Sequence, residues 1–284
     1  MSAYRHIYLS PHLDDVVLSC GGRIHQLGRA EEAVLVVTVF AGSPRFGEEG
    51  ASLVFSDYIA ALHERWETGT DAPALRRAED QAALQVLGAD FCHLSYLDCI
   101  YRRHPVTGEF LYQSDEDIFA EVHLGEFSLV VDVREELEGL VGAPGEVTIY
   151  APLAAGHHVD HQIVAAAALA LQVTGHRVVF YEDYPYAEVP FALATARQWV
   201  GGEKWRQEIF SLSPQDLAAK TGAVLCYRSQ LSTFFDDEDQ VAQRLRVYAR
   251  AVQEDHLAGL GRGSHGKATD RYPVSGERVW HLTK

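Results

Sequence analysis

The chain has 284 residues, 47% of them hydrophobic, and a formal net charge of −16. That length allows one large domain or two small ones with a substantial core. The acidic balance repels phosphate backbones and argues against nucleic acid as a partner. No apolar run reaches the roughly 18 residues of a membrane span.

The first residues, MSAYRHIYLS, enter a strand-like run without the charged start and long apolar segment of a secretory signal. HIYLS (6–10) is short, apolar and rich in β-branched and aromatic residues. VVLSCGGRIHQLG (16–28) has helical spacing and ends at Gly28, a natural C-cap. AVLVVTVFAG (33–42) is a near-continuous β-branched run, expected of a parallel strand covered on both faces. Segment 43–74 is long, mixed and aromatic, and reads as an insertion or lid. LRRAEDQAALQVLG (75–88) is a helix closed by glycine.

FCHLSYLD (91–98) and VTIYAP (147–152) read as strands, the second stopped by Pro152. DHQIVAAAALALQVTG (160–175) is a helix, and RVVFYEDYPY (177–186) a strand followed by a loop. FFDDEDQ (234–240) fits a solvated helix start. GLGRGSHGKATDRYP (259–273) is a Gly-rich surface loop, and 257–284 reads as a C-terminal tail. Strands alternating with helices imply an α/β layered sheet, mostly parallel, within a single domain spanning 1–284. Cys20, Cys92, Cys99 and Cys226 have no paired CxxC spacing and read as reduced thiols of a cytoplasmic protein.

Two polar clusters sit where apolar strands hand over to helices. In open α/β sheets, ligands bind just beyond the carboxyl ends of the strands. The first cluster is Pro11-His12-Leu13-Asp14-Asp15-Val16. Imidazole and carboxylate are zinc-type ligands, and a catalytic site keeps one position open for water. Taken alone, this motif reads first as a turn with an aspartate N-cap. The second cluster is Gly156-His157-His158-Val159-Asp160-His161. Its three histidines in five positions would be costly to bury without partners. Two such clusters favour a metal, and their lack of cysteine favours an open catalytic site over a closed structural one.

These motifs resemble those of the PIG-L/LmbE family of zinc-dependent N-acetylglucosamine deacetylases, whose first motif is A-H-P-D-D-E and whose second is H-x-D-H. Arg76-Arg77-Ala78-Glu79 leading to Leu87-Gly88, Leu94 to Asp98, Lys220 with Arg228-Ser229-Gln230, and Glu277 to Val279 beside Trp280 resemble further segments of the family in order. The resemblance implies a Rossmann-like sheet with helices on both faces, a three-layer sandwich carrying its metal at the carboxyl ends of the strands. It implies Zn²⁺, or another divalent ion such as Fe²⁺, held by His12, Asp15 and His161. Asp14 would be the general base and His158 a protonated partner for the oxyanion or the leaving amine. Arg76 and Asp98 would bind the substrate, a small N-acetylated amino sugar or glycoconjugate. Val16 stands where the family has glutamate, and His157 is an extra histidine whose part is open.

Each supporting residue has a plainer reading. Arg76 could pair with Glu79 on one helix face, and Asp98 could be a turn aspartate. Tyr181 to Tyr186 form an aromatic and acidic loop that suits a pyranose ring or ordinary packing. Tyr101, Arg102 and Arg103 could line the acceptor side but read first as surface residues. A nucleotide-dependent transferase is disfavoured because no G-x-G-x-x-G follows the first strand. The remaining alternative is a non-catalytic sugar- or metal-binding module on the same fold, for which Asp14 would be superfluous.

Overall fold

The computed structural model describes residues 4–44, 55–69, 71–202, 204–259 and 275–283. In chain order the strands are β1 (His6–Ser10), β2 (Val34–Thr38), β3 (Asp90–His93), β4 (Thr148–Pro152), β5 (Arg177–Tyr181), β6 (Trp205–Leu212) and β7 (Ser275–Leu282). The helices are α1 (Asp15–Arg29), α2 (Asp57–Arg65), α3 (Ala72–Leu87), α4 (Asp115–Ile118), α5 (Phe127–Val141), α6 (Val159–Val173), α7 (Ala192–Val200), α8 (Pro214–Val224), α9 (Arg228–Phe234) and α10 (Glu238–Gly259).

The strands form one sheet in the order β3-β2-β1-β4-β5-β7-β6. The first five are mutually parallel, and β7 runs antiparallel to both β5 and β6. The mostly parallel α/β sheet read from the sequence is therefore the observed fold. Side chains alternate across the sheet. Ile7 and Leu9 join Val37, Ile149 and the inner faces of α5 and α6. Tyr8 and Val36 face the other way, onto α1, α3 and α8. β2 is buried at every position, as its unbroken apolar run requires.

Several boundaries differ from the sequence reading. α1 runs past Gly28 to Arg29 and its C-cap is Ala30. Gly28 is there for close packing: a Cβ on it would lie 3.0 Å from the Leu87 carbonyl oxygen. Gly88, by contrast, does cap α3 in the left-handed conformation. β3 ends at His93, so residues 94–98 leave the sheet earlier than expected. The C-terminal segment is more than a tail, because 275–282 forms an internal strand of the sheet. The Gly-rich stretch lies almost entirely outside the described residues, as do 45–54 and 70 of the proposed lid.

The described part of that lid is α2 and its flanks. Ile59, Leu62, Trp66 and Ala72 pack with Cys99, Ile100, Tyr101 and Tyr112 in a third apolar cluster, apart from the two sheet faces. The chain order leaves β1 in one direction towards β2 and β3, and returns on its other side at β4. This switch point opens a crevice at the carboxyl ends of β1 and β4. Both polar clusters follow these two strands.

Candidate metal centre and catalytic pocket

β1 ends at Ser10, whose hydroxyl donates to the His12 carbonyl at 2.6 Å and accepts from the Val16 N–H at 3.2 Å. This pins a tight turn that carries His12, Asp14 and Asp15 into the crevice. Asp14 has φ 154° and ψ −31°, a combination that L residues seldom adopt and that recurs at functional sites. It occupies the N-cap position of α1, yet its carboxylate makes no capping hydrogen bond. The capping explanation of this aspartate therefore fails, and its side chain lines the pocket.

The second cluster arrives differently. His158 is the N-cap of α6, and its Nδ1 accepts from the Asp160 N–H at 3.2 Å. His161, one turn in, points at the first cluster. The ring nitrogens of His12, His158 and His161 lie within 4.8 Å of one another. Asp15 Oδ2 is 3.4 Å from His12 Nδ1 and 3.3 Å from His161 Nε2. His157 turns away: its φ is 65°, and its Nε2 meets Glu121 at 3.0 Å.

These donors fit a divalent ion. Four ligands at about 2.0–2.2 Å around a tetrahedral ion lie about 3.3–3.6 Å from their neighbours, which brackets both Asp15 distances. His161 Nε2 is buried without a hydrogen-bond partner, although buried polar atoms normally have one. The opposite nitrogen, Nδ1, sits 2.7 Å from Asp183 Oδ1. A proton kept on Nδ1 would donate to that carboxylate, so that an ion replacing the proton on Nε2 would meet a lone pair aimed inward. His12 has the mirror arrangement, with Nε2 2.8 Å from Asp160 Oδ2 and Nδ1 inward. Carboxylates behind ligand histidines fix tautomer and ring orientation in this way. From the sequence alone, Asp160 has no role of its own, and Asp183 reads only as part of the loop suited to a pyranose ring or packing.

The electrostatics follow from burial and crowding. Burial pushes Asp14 up, Asp15 pushes it further, and Arg76 only partly opposes them, leaving Asp14 at about 7. Burial also acts on Asp15, but His161 and His12 outweigh it and hold that carboxyl well below its usual range. Burial lowers His161, yet Asp15 and Asp183 more than offset this and raise it to about 9. Burial, with His12 beside it, holds His158 well below the usual imidazole range. A His158 whose Nδ1 accepts a backbone N–H is neutral and presents Nε2–H. This revises the sequence expectation of a protonated residue at that position.

The pocket is a cavity of about 330 Å³. His12, Asp14, Asp15 and His158 form its floor, with Arg76 and Asp98 beside them; Tyr58, Trp66, Phe119, Tyr186 and Phe234 form its walls. Arg76 is buried, and its guanidinium stands 3.8 Å from Asp14 and 3.6 Å from Asp98. Both contacts exceed hydrogen-bond length, and its Nε has no partner. Glu79 does not pair with it but receives the backbone N–H and hydroxyl of Ser229 at 2.9 and 2.6 Å. Asp98 caps a short 3-10 turn by accepting from Ile100 N–H at 3.2 Å.

Of the weaker motifs, Arg76, Asp98 and Gln230 line the pocket, whereas Lys220 and Glu277 are structural. Lys220 reaches Glu277 at 2.7 Å in the interior, and Glu277 also accepts the N–H groups of Gly22 and Arg23. This ion pair clamps α1 to the sheet behind the pocket. Tyr181 donates to the Leu9 carbonyl at 2.9 Å, while Tyr186 reaches the pocket. Tyr101 and Arg102 are buried, contrary to their reading as surface residues, whereas Arg103 is exposed.

Similarity to known proteins extends over most of the chain. A 2'-N-acetylparomamine deacetylase of Niallia circulans is 29% identical over 238 residues, 82% of each chain. The crystal structure of a deacetylase from the teicoplanin biosynthesis pathway has a TM-score of 0.75 at 28% identity, covering 97% of this chain and 96% of its own. A zinc-inhibited form of the teicoplanin deacetylase Orf2 also has a TM-score of 0.75, at 26% identity and 97% coverage of both chains. The family described as PIG-L, GlcNAc-PI de-N-acetylase, matches residues 7–172, more than half of the sequence, and this chain belongs to it.

Proposed function

We propose that this chain removes the N-acetyl group from an N-acetylglucosamine-type sugar carried on a conjugate, giving acetate and a free amine. The observation that carries this reading is the placement of His161 Nε2. The atom is buried, without a hydrogen bond, and 3.3 Å from Asp15 Oδ2, beside an aspartate that caps nothing.

His12 Nδ1, Asp15 Oδ2 and His161 Nε2 would hold the divalent ion. When bound, the ion supplies Lewis acidity, polarising the acetyl carbonyl and acidifying a water molecule. Zn²⁺ is the ion proposed, with Fe²⁺ as the other choice for the same donors. Asp14 takes a proton from the attacking water as the C–O bond forms, and a base near neutrality suits that task. His158 Nε2–H donates to the carbonyl oxygen as it gains charge. The C–N bond then breaks, and protonated Asp14 returns its proton to the departing amine.

Arg76 lines the pocket and its terminal guanidinium nitrogens make only loose ion pairs, so it is placed to take a sugar oxygen together with Asp98. The aromatic walls supply faces for the rest of the conjugate. Phe119 meets His158 edge-on at 5.5 Å and is 37% exposed at the mouth. The four unpaired cysteines support a reducing, cytoplasmic setting. Among the described residues no helix is long and apolar enough to cross a membrane.

The test is acetate release from a panel of N-acetylglucosaminides, with and without chelator. The reading expects metal-dependent release that is faster for conjugates than for the free sugar. Metal-independent release, or none from any member, contradicts it.

A further inference from the structure

Arg102 lies in the interior and spends its donors in three directions. Its Nη1 donates to Asp160 Oδ1 at 2.5 Å and to the Leu97 carbonyl at 3.1 Å. Nε and Nη2 donate to the two oxygens of Glu126 at 2.5 and 3.1 Å. Glu126 is held in turn by the Tyr112 hydroxyl at 2.6 Å. The guanidinium also lies 5.0 Å from the centre of the Phe40 ring.

The other oxygen of Asp160 serves the site. Oδ2 accepts from His12 Nε2 at 2.8 Å and from the Cys99 N–H at 3.0 Å. Leu97 and Cys99 flank Asp98, the residue on the sugar side of the pocket. The Arg102–Asp160 pair therefore grips the backbone on both sides of Asp98 and the outer edge of the His12 ring. Asp160 has no exposed surface, so a carboxylate there needs a fixed cationic partner. Only a planar fork reaches Asp160, the Leu97 carbonyl and Glu126 together, which a lysine ammonium cannot do.

We infer that Arg102 is a positioning residue that braces His12 and Asp98 as one unit, so that ion affinity and sugar binding share a single support. This rests on His12 being an ion ligand, as proposed above.

The experiment compares Arg102→Gln, Arg102→Lys, Tyr112→Phe and His12→Ala as full chains. Zn²⁺ affinity is read by competition with a chromophoric chelator, without substrate. KM for an N-acetylglucosaminide is read at saturating Zn²⁺. Arg102→Gln weakens Zn²⁺ binding by about 10-fold, the lower end of the range for a lost outer partner because Arg102 acts on His12 through Asp160, and raises KM as well. Arg102→Lys falls between it and the wild type on both readouts. Tyr112→Phe keeps the ring beneath the Arg102 guanidinium and removes only the hydroxyl that holds Glu126 and accepts the His123 N–H, so it keeps wild-type Zn²⁺ affinity.

A folded Arg102→Gln protein with wild-type Zn²⁺ affinity overturns the inference, and so does Tyr112→Phe matching its loss. If Arg102→Gln does not fold, wild-type behaviour of Arg102→Lys on both readouts overturns it. His12→Ala separates the two levels. Weakened binding there with Arg102→Gln unaffected removes the brace alone, whereas unchanged binding in His12→Ala removes the ligand reading and the brace with it.

Discussion

Nε2 of His161 faces Oδ2 of Asp15 across 3.3 Å, with Asp183 2.7 Å from the opposite nitrogen of the same ring. Two electron-rich atoms at that distance repel unless a proton or a cation lies between them. In the ion-free chain the proton takes the place, since Asp15 and Asp183 overcome the effect of burial and raise His161 to about 9.

Ion uptake must therefore displace a proton. Apparent ion affinity rises with pH through about 9, and His12, which burial lowers but Asp98, Asp15 and Asp160 raise well above the usual imidazole range, holds a second proton that must leave. Calorimetric titrations near pH 7 in buffers of different ionisation enthalpy detect the released proton. A pH-independent affinity across that window contradicts the assignment of His161. The same proton has a consequence for stability. His161 stabilises the ion-free fold below its unfolded value of about 6.5, and this is lost as pH rises through about 9.

Asp183 holds His161 in the tautomer that presents Nε2. Asp183→Ala is expected to weaken ion binding by about 10- to 100-fold while leaving the sheet intact, because the Tyr181 and Glu182 contacts beside it are independent. Ion content after dialysis, measured by emission spectroscopy, checks this. Retention equal to the wild type counts against it.

Asp14 has an unfavoured backbone and a carboxyl pushed up to about 7, chiefly by burial and then by Asp15. As the base, it gives kcat an acid limb at or below about 7, because a bound cation can only lower it. Asp14→Asn should keep the ion and lose about 10²- to 10⁴-fold in kcat. A binding module would show no such loss. The stability sign is opposite to that of His161. A carboxyl raised above its unfolded value binds more protons when folded, so the ion-free fold loses stability as pH rises from about 4 to about 7. Asn cannot titrate. The variant's advantage over the wild type in denaturant melts with chelator should grow over that interval by a few kcal/mol, at about 1.4 kcal/mol per unit. An advantage constant with pH would show that Asp14 is not destabilised by burial.

How much of this was legible in the residues depends on distance along the chain. His12, Asp14, Asp15, His158 and His161 stand out because ligating side chains crowd the ends of apolar strands, where a core would exclude them. The tautomer-setting partners do not stand out. Asp160 reaches His12 across 148 positions and Arg102 across 58, contacts that only the switch point of the sheet creates. Arg102 reads as a surface residue because charge is normally solvated, and nothing local announces Glu126 as its partner. Gly28 reads as a helix stop because close packing on Leu87 is equally invisible locally. β7 does not stand out because SGERVWHL alternates weakly and follows a glycine-rich stretch.

His158 is neutral, with Nδ1 occupied by the Asp160 N–H and Nε2 free of the helix. His158→Ala should cost about 10²- to 10³-fold in kcat, the range for one lost oxyanion donor, with ion content unchanged. Single-turnover acetate release separates chemistry from binding. Loss of the ion in this variant would instead make His158 a ligand and displace Asp15 from that role.

The ligand set itself is open to direct observation. Anomalous scattering from crystals of the Zn²⁺-loaded protein should show one strong peak about 2.0–2.2 Å from His12 Nδ1, Asp15 Oδ2 and His161 Nε2, with Asp14 facing it but unbound. A peak resting on Cys99 and His158, or no peak between positions 12 and 161, would contradict the account.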